Sequence, residues 1–266
     1  MNHTIKGEKL AKVLHDFVRK LSETDLHNKI DLKEILDTLP NIKLKKGYSL
    51  GSYFEGNCDG TSELLYPFRT GTTDEYEPGA MHRDMDLDSF WIWRGWANHD
   101  PEAQKLKAEL DNFVPFKDGQ YASGCYSYES SETIPKLQDY LDVDFTPETV
   151  WEALLLTKEA NSYLSQGYHT SYKVGKLIVD NKSLTDVCQN NNKFKTDNWK
   201  QLLNDERIIP KVTMTCDYIA LVYYCRWNDD DGLIRFCLRA SHNRRTINFE
   251  EVEKEYLIQY KNGLYI

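Results

Sequence analysis

The hydrophobic positions of the chain fall into helical stripes first and strand-like alternation later. Leu10, Val13, Leu14, Phe17, Val18 and Leu21 recur at the i, i+3, i+4, i+7 spacing that puts apolar side chains on one face of a helix, and so predict a helix packed on a core. A second stripe, Leu32, Ile35, Leu36 and Leu39, stops at Pro40, which disfavours helical geometry in the residue before it. Residues 42–51 alternate loosely and end in Gly51-Ser52. Residues 56–82 are rich in Gly, Asp, Thr and Pro and read as a long loop. Ser89-Phe90-Trp91-Ile92-Trp93 is an apolar run of strand formers.

Asp100-Pro101 then opens a helix carrying Leu106 and Leu110. Thr146-Pro147-Glu148 repeats that cap signature ahead of Val150, Trp151, Leu154 and Leu155, a stripe running towards Gly167. Residues 188–199, with Asn190-Asn191-Asn192, read as an exposed loop. From Lys211 the period becomes two. Val212, Met214 and Cys216 alternate with polar residues and lead into the apolar run 218–224, so that Asp217 interrupts what reads as one buried strand. Asp229-Asp230-Asp231-Gly232 reads as a hairpin connection to a strand at 233–240, and Lys261-Asn262-Gly263 as a turn between short strands.

This pattern predicts an α+β fold: a mixed or antiparallel central sheet flanked by helices. We expect a single domain over 1–266, with a loop insertion at about 57–83 and a helical insertion at about 97–205. The 40% hydrophobic and 12% aromatic content suits a folded core. Mean hydropathy is −0.64, and no apolar run has the length of a membrane span. The first residues lack the apolar stretch of a signal peptide, so the expected compartment is the cytoplasm. Six scattered cysteines without a CxxC pair read as free thiols rather than a zinc site. A net charge of −9 argues against general affinity for nucleic acid, though it leaves room for a local basic groove.

The candidate chemistry lies in Arg83-Asp84-Met85-Asp86-Leu87-Asp88. In an extended backbone the three carboxylates share one face at the mouth of the apolar run. Two carboxylates about 5 Å apart repel by roughly 3 kcal/mol at an effective dielectric near 20, unless a proton or a divalent cation relieves them. The arrangement suggests a Mg²⁺ or Mn²⁺ site; an acidic strand entrance on a solvated edge is the other reading. Asp84/Asp86 is the preferred metal pair and Asp86/Asp88 the alternative.

Gly51-Ser52-Tyr53-Phe54-Glu55-Gly56, Asp84-Met85-Asp86-Leu87 and the segment from Pro210 through Asp217 to Leu221 together resemble the three-part signature of the polymerase-β-like nucleotidyltransferase superfamily, in particular the catalytic half of cyclic GMP-AMP synthase-like enzymes. The resemblance implies a nucleotidyltransferase-like core with a long insertion. Gly51 and Ser52 would bind nucleotide phosphate. Asp84, Asp86 and Asp217 would be both catalytic residues and ligands of Mg²⁺ or Mn²⁺, stabilising the attacking and leaving oxygens of an in-line displacement. The implied reaction moves a nucleotidyl group from a nucleoside triphosphate to an acceptor hydroxyl, with cyclic or linear oligonucleotide signals among the products. This chain departs from the family in the wide gap between Ser52 and Asp84, and in a mostly β stretch after Asp217 where the synthases carry a helical lobe. The alternative is a catalytically inactive protein of the same fold that binds or regulates a protein partner. The sequence does not identify the acceptor.

Overall fold

The computed structural model describes residues 3–23, 32–57, 60–69, 101, 137–160, 165–166, 176–189, 197–228, 231–243 and 246–259. The architecture is α+β, with antiparallel strand pairing throughout the described sheets. The first stripe forms α1 (Glu8–Glu23), with Leu10, Leu14, Phe17 and Leu21 buried. The second forms α2 (Leu32–Asp37), where Ile35 is buried, and the chain turns out of the helix with Leu39 buried just before Pro40.

The main sheet runs in the order β1 (Thr4–Lys6), β8 (Lys211–Cys216), β9 (Ile219–Asn228), β10 (Gly232–His242), β11 (Ile247–Gln259). β8 borders the first part of β9, and β7 (Lys176–Ile178) borders the last part on the same side. Burial along β9 changes face. Ala220, Val222 and Tyr224 point into the larger core with α1 and with α3 (Pro147–Leu154), whereas Cys225 and Trp227 point into a second core with Leu184, Cys188, Trp199, Leu202 and Ile208. The sheet is therefore covered on opposite faces at its two ends, and α4 (Asn181–Gln189) packs on the second. Gly232 opens β10 with φ +103°, and a Cβ there would lie 2.1 Å from the Ile258 carbonyl oxygen, so only glycine fits.

Among the described strands β11 is the outer one of this sheet. Two register irregularities and the ion pairs Arg239–Glu250 and Arg235–Glu255 lie along its pairing with β10, devices that discourage a further strand from adding. A smaller sheet contains β3 (Tyr48–Asn57), β4 (Gly60–Arg69) and β6 (Ser165–Gln166). β2 (Lys43–Leu44) pairs with β5 (Leu141–Asp142).

Three expectations change. The loop expected over 56–82 contains strand β4 in its first part. Pro67 is tolerated where, among the described residues, β6 reaches only Thr61 and Ser62 and no strand on that side calls for a ladder N–H from it. The 97–205 span contributes strands as well as helices, and one of them, β7, belongs to the main sheet. The 188–199 stretch expected to be exposed instead begins and ends on buried core residues, Cys188 and Trp199.

Candidate functional site

Asp217 does not interrupt a strand. It forms, with Tyr218, the two-residue turn between β8 and β9, where Cys216 pairs with Ile219 and the Tyr218 carbonyl accepts from the His242 N–H at 3.0 Å. Both turn residues are exposed, Tyr218 to 59%. A carboxylate interrupting a buried strand would be costly and so would point to a use, but an exposed turn aspartate is solvated and carries no such cost. What stands is a carboxylate accessible from solvent at one end of the main sheet.

Gly51 and Ser52 lie within β3 rather than at its end, opposite Tyr66 and Leu65 of β4. Among the described residues β3 has a strand neighbour on one side, β4, and alternate backbone N–H groups of β3 face away from that ladder. The preceding residues Tyr48, Ser49 and Leu50 join Leu36, Leu39 and Ile42 in lining a cleft of about 570 Å³. Asp84, Asp86 and Asp88 lie outside the described residues. Among the described residues no three His, Cys, Asp or Glu side chains gather as metal ligands. Asp217 is thus the one member of the expected ligand set whose side-chain setting is defined, and its exposure is compatible with a shared cation.

The structure also contains a titratable constellation that the sequence did not reveal. Thr146 caps α3 in a reciprocal capping box with Thr149, Pro147 fills the first turn, and the helix then widens into a π turn over Leu155–Glu159. The Ala160 N–H reaches back to the Leu155 carbonyl, and the Thr157 hydroxyl bonds the Ala153 carbonyl at 2.7 Å, a back-bond that loosens regular helix geometry. A π turn holds one residue more than an α turn, so residues beyond it shift around the axis. Glu159 is buried and Lys158 exposed.

Two glutamates of this helix are almost wholly buried, and their surroundings differ. Glu152 accepts from the Asn41 backbone N–H at 2.7 Å and from its side-chain amide at 2.5 Å. Burial pushes its carboxyl above the ordinary range, and those two bonds oppose the rise. Glu159 Oε1 accepts from the Tyr224 hydroxyl at 3.3 Å. Its Oε2 has no hydrogen bond and stands 3.8 Å from the Arg226 guanidinium. Burial pushes the Glu159 carboxyl up, with Arg226, Tyr224 and Lys158 acting weakly against it.

A third cluster resembles a catalytic triad only in composition. Asp180 accepts from Ser183 at 2.8 Å and meets His15 at 3.0 Å, so the carboxylate, not the imidazole, is central. Ser183 N–H also bonds Asp180 Oδ1 while Asp180 N–H bonds Ser183 Oγ, which makes this the cap of α4.

Compared with family models, with curated proteins and with solved structures, the chain matches none. Residues and geometry alone therefore bear on its function.

Proposed function

We propose that the protein is a metal-dependent nucleotidyltransferase, transferring a nucleotidyl group from a nucleoside triphosphate to an acceptor hydroxyl. Asp84, Asp86 and Asp217 would hold Mg²⁺ or Mn²⁺, and Gly51 and Ser52 would bind the phosphates. The bound ion would supply neutralisation of phosphate charge. The observation that carries this reading is the Asp84-x-Asp86-x-Asp88 spacing, because folding alone does not favour three like charges at positions that an extended backbone would put on one face. The α+β architecture and the accessible carboxylate of Asp217 support it further.

A second reading is favoured by a specific observation. Gly51-Ser52 lies inside a hairpin strand and Asp217 in an exposed turn, positions that ordinary strand and turn chemistry can fill without catalysis. On that reading the protein binds or regulates a protein partner.

One experiment separates the two. Mg²⁺ or Mn²⁺ with a nucleoside triphosphate at a hundredfold over its dissociation constant stabilises a transferase by about 2.7 kcal/mol, or roughly 5–10 °C in melting temperature for a chain of this size. Asp84→Asn with Asp86→Asn should abolish that shift and any pyrophosphate release while leaving the unliganded melting temperature nearly unchanged. No shift with any triphosphate and no pyrophosphate would leave the regulatory reading standing.

A further inference from the structure

The central strand of the main sheet is apolar on both sides, yet it is covered on only one side along its first half. Ala220, Val222 and Tyr224 of β9 face the core with α1 and α3. Ile219, Leu221 and Tyr223 face the other way, are partly exposed and belong to neither core; the second core takes over that face only from Cys225 onwards. A strand with one solvated face alternates apolar with polar residues, whereas an unbroken apolar run such as Ile219 to Cys225 is the pattern of a strand covered on both faces.

The charges beside this stripe are sorted by side. Cross-strand register sets one row across the open face: Lys6 of β1, Lys211 of β8, Tyr223 of β9, Cys237 of β10 and Glu253 of β11. Lysines therefore stand on one side of β9 and the glutamate on the other. Lys211 and Glu253 are both exposed, and neither has an ion-pair partner among the described residues; Lys211 leans over the Tyr223 ring, 5.7 Å from its centre. Lys6 reaches only the exposed Glu206, at 3.9 Å. In the next row Leu221 stands between Thr213 and Arg239, and Arg239 is held within the chain by Glu250.

We propose that this face pairs with a second copy of the chain. The two sheets stack about a two-fold axis lying along β9, so that Leu221 and Tyr223 meet their counterparts and Lys211 of each chain meets Glu253 of the other. Rotation about that axis exchanges the two sides of β9 and lays the basic side of one chain over the acidic side of its copy, the self-complementarity that a closed dimer requires. Stacked sheets lie about 10 Å apart, a gap that a lysine and a glutamate side chain span together. At about 4.8 Å between strands and about 3.4 Å per residue, the face from β1 to β11 and from Ile219 to Tyr223 measures roughly 20 by 17 Å. Such a patch is at the small end of specific interfaces, so the dimer is weak and forms with rising concentration. A nucleic-acid strand is the competing occupant of a face with lysines around a tyrosine, but the acidic side of the row and the net charge of −9 oppose it. The pairing is independent of the transferase reading, since none of that reading's residues takes part.

Sedimentation equilibrium of the full chain between about 1 and 500 µM tests it. The wild type should pass from monomer to dimer, less readily as salt is raised. Lys211→Glu and Glu253→Lys, each alone, should weaken dimerisation by about tenfold or more, because each sets like charges together twice in the symmetric pair. Mixed with one another, these two variants should associate again as a heterodimer in which every reversed charge meets its opposite. Leu221→Asp should leave the chain monomeric throughout; the charge reversals, at exposed positions, decide the matter should that variant not fold. A wild type that stays monomeric, a dimer indifferent to both reversals, or reversed variants that do not recover on mixing would each overturn the proposal. So would a single-stranded oligonucleotide bound by the monomer and lost in Lys211→Glu, which would assign the face to nucleic acid instead.

Discussion

The first half of the helix that begins at Pro147 and the π turn that ends it each bury a glutamate, yet the chain treats the two differently. In the regular half, Trp151 donates from Nε1 to the Leu10 carbonyl at 3.1 Å and Glu152 is closed by both amides of Asn41, so every buried polar atom named there has a partner. In the π turn, Glu159 keeps an unbonded oxygen beside a guanidinium. The difference teaches that burial alone does not mark a functional carboxylate. A closed carboxylate ties α3 to the loop before β2, whereas the unbonded oxygen of Glu159 leaves part of its desolvation cost uncompensated.

Three substitutions sharpen or break that contrast. Trp151→Ala should cost the most, about 4 kcal/mol in chemical denaturation, because it empties a fully buried site and removes the side-chain donor to the Leu10 carbonyl. A loss below about 2 kcal/mol would show that the regular half is not the anchor of this helix. Glu152→Gln should cost about 2 kcal/mol at pH 7, since an amide presents a donor to Asn41 where two acceptor oxygens are needed. The same change at residue 159 should be neutral or stabilising at pH 8, and its advantage over the wild type should shrink as pH falls towards the unfolded Glu value. Equal costs at the two positions would erase the distinction between the two halves.

Much of the fold was legible. The stripes of α1 and α2, the stop at Pro40, the Thr146-Pro147 cap and the glycine at residue 232 all act locally, through spacing or through a backbone angle that few residues adopt. The turn at Asp217 was hidden for a physical reason. The two-residue turn pairs an even position with an odd one, Cys216 with Ile219, and the irregularity between Met214 and Cys216 restores parity, so Val212 and Met214 on one strand and Ala220 and Val222 on the next all fall on even positions facing the same core. Alternation passes through the reversal unbroken and reads as one long strand. β4 was hidden by its composition, with Gly, Thr, Ser and Pro offset by a long backbone pairing with β3 that no local rule reports. Glu159 was hidden because a regular helix carries the stripe of Trp151 and Leu154 on to Lys158; that conflict was the one sequence trace of the π turn.

The central functional claim is that carboxylates from separate segments converge on one cation, and paramagnetic Mn²⁺ tests it directly. With Mn²⁺ and a nucleoside triphosphate added to isotope-labelled protein, the account predicts that the amide signals of Asp217 and Tyr218 broaden together with those of Asp84 and Asp86, and that Asp84→Asn with Asp86→Asn abolishes the broadening at both places. Sharp signals at Asp217 beside broadened ones at residues 84–86 would contradict it.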